Sequence, residues 1–230
     1  MNIIEEIKKS VLSGIMIMVG GSVYLASRTI SVGSFNLMWL GAFLFTAGLF
    51  TICVYGFNLY TGKVGYIALH FKDTKYIALV VLICVFNLLT TFLLGIIVAY
   101  AFPNIGAEAF RVYTPKLSLP LLRIFISGTF CGILMFLAVD TWKKGFPIGC
   151  FLFVPVFIFS GFDHSIANSF YNGASFGHIL FADDSFLNPN SASFSVFSMK
   201  NALLTLTTVL GNGFGGMIIP LLTRKWKNAE

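Results

Sequence analysis

From Tyr76 to Ala101 the chain carries no charged side chain, and besides its two tyrosines only Asn87, Thr90 and Thr91 are polar. At about 1.5 Å of rise per helical residue, such a run is long enough to cross a hydrocarbon core of about 30 Å. Comparable runs recur at about 11–27, 36–56, 121–139, 146–170 and 199–222. No water satisfies the backbone inside a bilayer, so spanning segments must be helices or a closed barrel. The runs are continuous and lack the period-two alternation of barrel strands, which selects helices. Composition agrees: 57% of the 230 residues are hydrophobic and 10% are charged, against about 25% charged in a soluble globule. The sequence predicts an all-α membrane protein with six transmembrane helices in a single domain over 1–230.

The net charge of +6 does not indicate nucleic acid, because the basic residues sit in loops between the apolar runs. With the N-terminus placed in the cytoplasm, that side holds Lys8, Lys9, Lys63, Lys72, Lys75, Lys143, Lys144, Arg224, Lys225 and Lys227. The other side holds Arg28, Arg111, Lys116, Arg123 and Lys200. The asymmetry predicts a multi-pass protein of the cell's inner membrane with both termini cytoplasmic. Cys53, Cys84, Cys131 and Cys150 lie in or beside apolar runs without CxxC spacing, and read as small packing residues. Met1 to Ser10 is polar, and the apolar run that follows is too long for a signal-peptide core.

Two stretches are too long for plain spans. The second continues past Gly56-Phe57-Asn58-Leu59-Tyr60-Thr61-Gly62 to about Phe71, and the fifth continues past Ser160-Gly161-Phe162-Asp163-His164 towards Phe176. Glycine and polar residues at mid-depth mark broken helices that line a cavity. The interruptions also match each other. Gly56-Phe57-Asn58 parallels Gly161-Phe162-Asp163, Phe86-Asn87-Leu88 parallels Gly211-Asn212-Gly213, and Ser13-Gly14 parallels Ser127-Gly128. This predicts two inverted three-helix repeats, about 8–101 and 121–223, with helices two and five broken and the substrate path between them.

Asp163 and His164 are adjacent ionisable residues inside an apolar segment. A charge at the bilayer centre costs at least about 2.5 kcal/mol, so the pair needs partners, water or a function. Histidine is neutral in a dry pore yet exchanges a proton near neutral pH, which suits contact with a small acid or anion.

The run Ser160-Gly161-Phe162-Asp163-His164-Ser165-Ile166-Ala167-Asn168-Ser169-Phe170 resembles the fifth-span motif of formate/nitrite transporters. Asn58-Leu59-Tyr60-Thr61-Gly62 resembles that family's second-span loop, and Gly211-Asn212-Gly213-Phe214-Gly215-Gly216 its sixth-span Gly-Asn-x-x-Gly-Gly. The last motif alone is weak; three in order on matching spans are specific. The resemblance implies an aquaporin-like protomer of a homopentamer, acting as a channel for formate, nitrite or hydrosulfide together with protons, without a cofactor. It implies that His164 is the central pore histidine, that Thr61 faces it, that Lys116 stands near the periplasmic side of the pore, and that Asn212 lines or braces it. Leu49, Tyr60 and Phe157 would form apolar constrictions, although such residues in a membrane helix ordinarily just pack. There are departures: Asn58 stands where the family often has glutamate, Asp163 replaces the usual glutamate, and Gly132 takes the place of a common span-four asparagine.

A bare anion in a dry constriction faces a Born penalty of tens of kcal/mol before relaxation. The expected mechanism has Lys116 and the helix ends attract the anion, with His164, bonded to Thr61, protonating or stabilising it at the narrowest point. An aquaporin-type channel for neutral solutes is the alternative, but it would be expected to carry two Asn-Pro-Ala boxes. The only Asn-Pro pair, Asn188-Pro189, is followed by Asn190. An intramembrane enzyme built on Asp163, His164 and Ser165 is disfavoured, because adjacent helical residues point about 100° apart.

Overall fold

The first apolar run begins earlier than its hydropathy suggests, as helix α1 (Ile3–Arg28). The Asn2 side chain accepts from the Ile4 N–H at 3.2 Å, and Glu5 and Glu6 in the first turn and Arg28 in the last complement the helix dipole. A short hairpin, β1 (Ser31–Val32) paired with β2 (Phe35–Asn36), leads into α2 (Met38–Leu44) and α3 (Thr46–Tyr55). Next come α4 (Tyr60–Lys63), a 3-10 helix at Val64–Leu69, and α5 (Thr74–Ala101). This computed structural model of the chain describes residues 2–33, 35–181 and 198–223. Asn188-Pro189-Asn190 and the basic residues Arg224, Lys225 and Lys227 fall outside the described residues.

The segment between the repeats, expected as a plain outer loop, is helical: α6 (Pro103–Tyr113), started by a proline at its first turn, then a 3-10 helix at Thr114–Ser118. The second repeat contains α7 (Leu121–Lys143), α8 (Ile148–Phe159), α9 (Ser165–Phe181) and α10 (Met199–Thr223). Among the described residues five segments are long and apolar enough to cross a membrane: Ile3–Arg28, Met38–Tyr55, Thr74–Ala101, Leu121–Lys143 and Met199–Thr223. The fifth run, read as 146–170, does not form one helix. It is divided between α8 and α9, and α9 extends to Phe181.

Both interruptions use one device. Gly56 and Gly161 adopt left-handed φ of 66° and 68°. The next residue then folds back, with Phe57 N–H donating to Ile52 O at 2.9 Å and Phe162 N–H to Phe157 O at 3.0 Å. This is the Schellman stop, which glycine forms without a Cβ clash.

The halves interlock. α9 of the second repeat packs along α5 of the first, and the Val64–Leu69 helix of the first packs on α10 of the second. Contact is backbone to backbone: a Cβ at Gly173 would lie 2.0 Å from Phe92 O. Each interruption is thereby carried into the interior, where Thr61, Asn87, His164 and Asn212 are all buried. The outside is apolar, with Val81, Val85, Leu89, Leu93 and Ile97 forming an exposed ridge along α5. Below, the near side is that of the α1 start, and the far side that of Arg28 and α6.

Candidate functional site

One asparagine braces each interruption. Asn87 on α5 accepts from the Tyr60 N–H at 2.8 Å and donates to Asn58 O at 3.0 Å and Ser10 O at 2.8 Å. Asn212 on α10 accepts from the Ser165 N–H at 2.8 Å and donates to Asp163 O and Gly128 O, each at 2.8 Å. The correspondence of Asn58 with Asp163 is the one read from the sequence, and the bonds of Tyr60 and Ser165 extend it by two residues. On the first helices the register differs. The structural counterpart of Gly128 is Ser10, one turn before the Ser13-Gly14 pair that looks similar.

The breaks meet at Thr61 and His164. Thr61 Oγ1 lies 3.0 Å from His164 Nε2, and the two residues are 0% and 2% exposed. His164 stands just before α9, and its Nδ1 accepts from the Ala167 N–H at 3.1 Å. That N–H occupies the Nδ1 lone pair, so the neutral ring carries its proton on Nε2 and donates it to Thr61. The Thr61 hydroxyl hydrogen has no acceptor among the described residues. With both ring nitrogens engaged, His164 forms no dyad with Ser165, whose buried hydroxyl has no partner among the described residues.

Lys116 reaches the second break from the 3-10 helix after α6. Its Nζ donates to Asp163 Oδ1 at 2.6 Å and to Asn168 Oδ1 at 2.9 Å. Asn168 Nδ2 donates back to Asp163 Oδ1 at 2.9 Å. Ser127 donates to Asp163 Oδ2 at 2.6 Å and accepts from the Asp163 N–H at 3.0 Å. The buried carboxylate is therefore ion-paired and fully bonded, which is the condition for keeping it charged. The first break has no such cluster. Asn58 Nδ2 donates instead to Glu6 Oε2 at 2.6 Å, on the near side.

One cavity reaches His164, and a second is lined by Leu59 and Gly62, which flank Tyr60 and Thr61 in the chain. The far one, of about 280 Å³, is lined by His164, Lys116, Phe157, Tyr24, Arg28 and Tyr171 among others. The near one, of about 180 Å³, is lined by Leu59 and Gly62 beside Thr61 and by Ile52, Phe57, Lys63 and Lys143. Phe157 stacks on the His164 ring with centroids 5.6 Å apart and meets Phe45 edge-on at 6.1 Å. Leu49 is buried. The Tyr60 hydroxyl donates to Val209 O at 3.0 Å, so its polar end is engaged with α10.

The family profile described as "Formate/nitrite transporter" matches residues 1–226. The chain belongs to the formate/nitrite transporter family. Among curated proteins none matches it. Of the solved structures it resembles, a "Pentameric formate channel with formate bound" superposes with a TM-score of 0.82 at 23% identity, covering 99% of this chain and 98% of that one. An "FNT family ion channel" superposes with a TM-score of 0.77 at 17% identity, covering 98% of this chain and 91% of that one. At these identities the likeness establishes the fold.

Within this formate/nitrite transporter fold, Asn212 is wholly buried and engaged with backbone, so it braces the break and lines neither of these two cavities. The span-four asparagine common in the family has no room here, because a Cβ at Gly132 would lie 2.2 Å from Asn212 O. Residues absent from the sequence-based site are Asn87, Ser127, Asn168 and Arg28. The first was visible as the mate of Asn212. Ser127 and Asn168 are common residue types whose role depends on reaching Asp163 across space. Arg28 enters the far cavity bonded through Nε to Glu108 Oε1 at 2.7 Å, a partner on α6 that hydropathy had placed in a loop.

Proposed function

We propose that the protein conducts small monovalent anions of the formate and nitrite class, hydrosulfide included, along a path from the far cavity past His164 and Thr61 to the near cavity. The observation that carries this is the Thr61–His164 hydrogen bond, which joins the two interruptions between two cavities. Lys116 at the far cavity supplies positive charge, tempered by Asp163. At the constriction the Thr61 hydroxyl hydrogen is the donor open to an anion, and the His164 Nε2–H becomes a second when it exchanges its bond to Thr61 for one to the anion. Such preplaced dipoles replace water, whose loss otherwise dominates the barrier.

The expected outright proton gift from His164 is harder to supply than a hydrogen bond. A neutral ring that loses its Nε2 proton becomes an imidazolate, so transfer requires a ring first protonated at Nδ1. That proton would displace the Ala167 N–H. Hydrogen-bond donation from the neutral ring is the step favoured by this geometry.

The basic residues concentrate on the near side, which supports a cytoplasmic near side and cytoplasmic termini in an inner-membrane protein. The exposed apolar ridge on α5 suits lipid or neighbouring protomers, and the likeness to a pentameric formate channel supports a homopentamer. The family and its solved neighbours are channels, and no covalent step is needed here. The test is flux of formate, nitrite and hydrosulfide into liposomes at several pH values. Flux should be present in the native protein and abolished in His164→Phe, with assembly unchanged by size-exclusion chromatography. Undiminished flux in His164→Phe would overturn the assignment.

A further inference from the structure

Two lysines on the wall of the near cavity form no ion pair among the described residues. Lys63, three residues past the first break, and Lys143, at the end of α7, both line it. Every other described lysine with an ion pair finds its carboxylate within 2.8 Å: Lys9 with Glu5, Lys116 with Asp163, Lys144 with Asp140. Lys63 and Lys143 make no ion pair among the described residues. The carboxylates closest in the fold are already engaged. Glu6 accepts from Asn58 at 2.6 Å, and Asp140 accepts from Tyr66 at 3.2 Å and pairs with Lys144 at 2.8 Å. Lys143 Nζ sits instead 3.5 Å from the centroid of the Tyr66 ring. A ring face is a weak substitute for an anion at a partly exposed site.

Like charges on the wall of one cavity repel, and half-buried Lys63 shares that wall with Leu59, Ile52, Val139 and Trp142. A small anion between them removes that repulsion and satisfies both. The space, about 180 Å³, holds a monovalent anion with several waters at about 30 Å³ each. We infer that Lys63 and Lys143 form a binding site for a small monovalent anion on the near side of the constriction, with Trp142 in its wall. No motif resemblance pointed to either lysine. As a station on the conduction path the site depends on the transport reading; as a binding site it does not.

Trp142 makes the site observable without flux. In a W39F/W226F background of the assembled protein, Trp142 is the one remaining tryptophan. Iodide, a monovalent anion that quenches indole, should quench its fluorescence with a saturating component, and formate should compete. Lys63→Gln or Lys143→Gln should weaken iodide by at least about fivefold, the loss of one screened unit charge at contact. Lys63→Arg should restore it, and Lys143→Gln serves as the exposed variant should Lys63→Gln fail to fold. Linear quenching, unsaturated and equal in all variants, would overturn the site. Flux with linear quenching would reject the site and keep the transport reading, whereas saturable, lysine-dependent quenching without flux would keep the site and reject transport.

Discussion

The first interruption and the second share a glycine stop and a bracing asparagine, and they differ in the charge around them. Each ends its helix with a left-handed glycine and a phenylalanine folded back by five residues. Each is then held by one asparagine making three bonds to backbone. Beyond that the breaks diverge. The second continues into the long helix α9 and carries Asp163, locked between Lys116, Asn168 and Ser127. The first continues into one turn of α4 and a 3-10 helix, and its Asn58 is neutral. The geometry of a broken helix therefore rests on a small conserved-by-symmetry kit, glycine plus bracing asparagine. The charge around it is free to vary between halves. The same scaffold can then present an imidazole from one side and a hydroxyl from the other.

If charge is held only in the second break, its removal should be the most damaging single change. Lys116→Met leaves Asp163 buried without its cation. Breaking a buried pair from one side typically costs about 3–5 kcal/mol, so Lys116→Met should lose most of the assembled protein in a thermal scan followed by size exclusion. Lys116→Met with Asp163→Asn should recover much of that loss, since no charge is then stranded. A stable Lys116→Met single variant would mean that the Asp163 cluster is not what holds the second break.

The bracing asparagines test the shared half of the comparison. Asn87→Ala and Asn212→Ala each remove three hydrogen bonds, at about 1 kcal/mol apiece plus the cost of backbone groups left unpaired. Each should lower stability by roughly 3 kcal/mol, and the two should agree within about 1 kcal/mol. A large difference would show that one break is held by other means, Asp163 and its partners being the obvious means for the second.

How much of this was legible follows from range along the chain. The glycine stops are local, so Gly56-Phe57 and Gly161-Phe162 could be matched by eye, and so could the break residues flanking His164 and Thr61. The α1–α7 register was misjudged because Ser13-Gly14 looks like Ser127-Gly128, whereas the asparagines select a carbonyl, and a carbonyl leaves no mark in side-chain identity. The α6 helix was missed because it is short and polar enough to read as a loop. Its consequence, the delivery of Lys116 to Asp163, is not readable from the sequence: the family resemblance places Lys116 near the pore and gives it no partner. Lys63 and Lys143 read in the sequence as topology signals alone, because what sets them apart is the one cavity wall they share in three dimensions.

The smallest effect belongs to the first break's one charged contact. Glu6 is a partly exposed residue near the start of α1, and its bond to Asn58 is short at 2.6 Å. A hydrogen bond to a charged group can contribute about 1.5–3 kcal/mol when sheltered, and exposure to solvent reduces that. Glu6→Leu should therefore cost about 1 kcal/mol or less, and Glu6→Gln almost nothing, since the amide oxygen still accepts from Asn58. Both are read as shifts in the thermal midpoint of the assembled protein beside Lys116→Met. Were Glu6→Leu as damaging as Lys116→Met, the first break would be held by charge after all. The neutrality of Asn58 would then be compensated from α1, and the two halves would be electrostatic equivalents built from different residues.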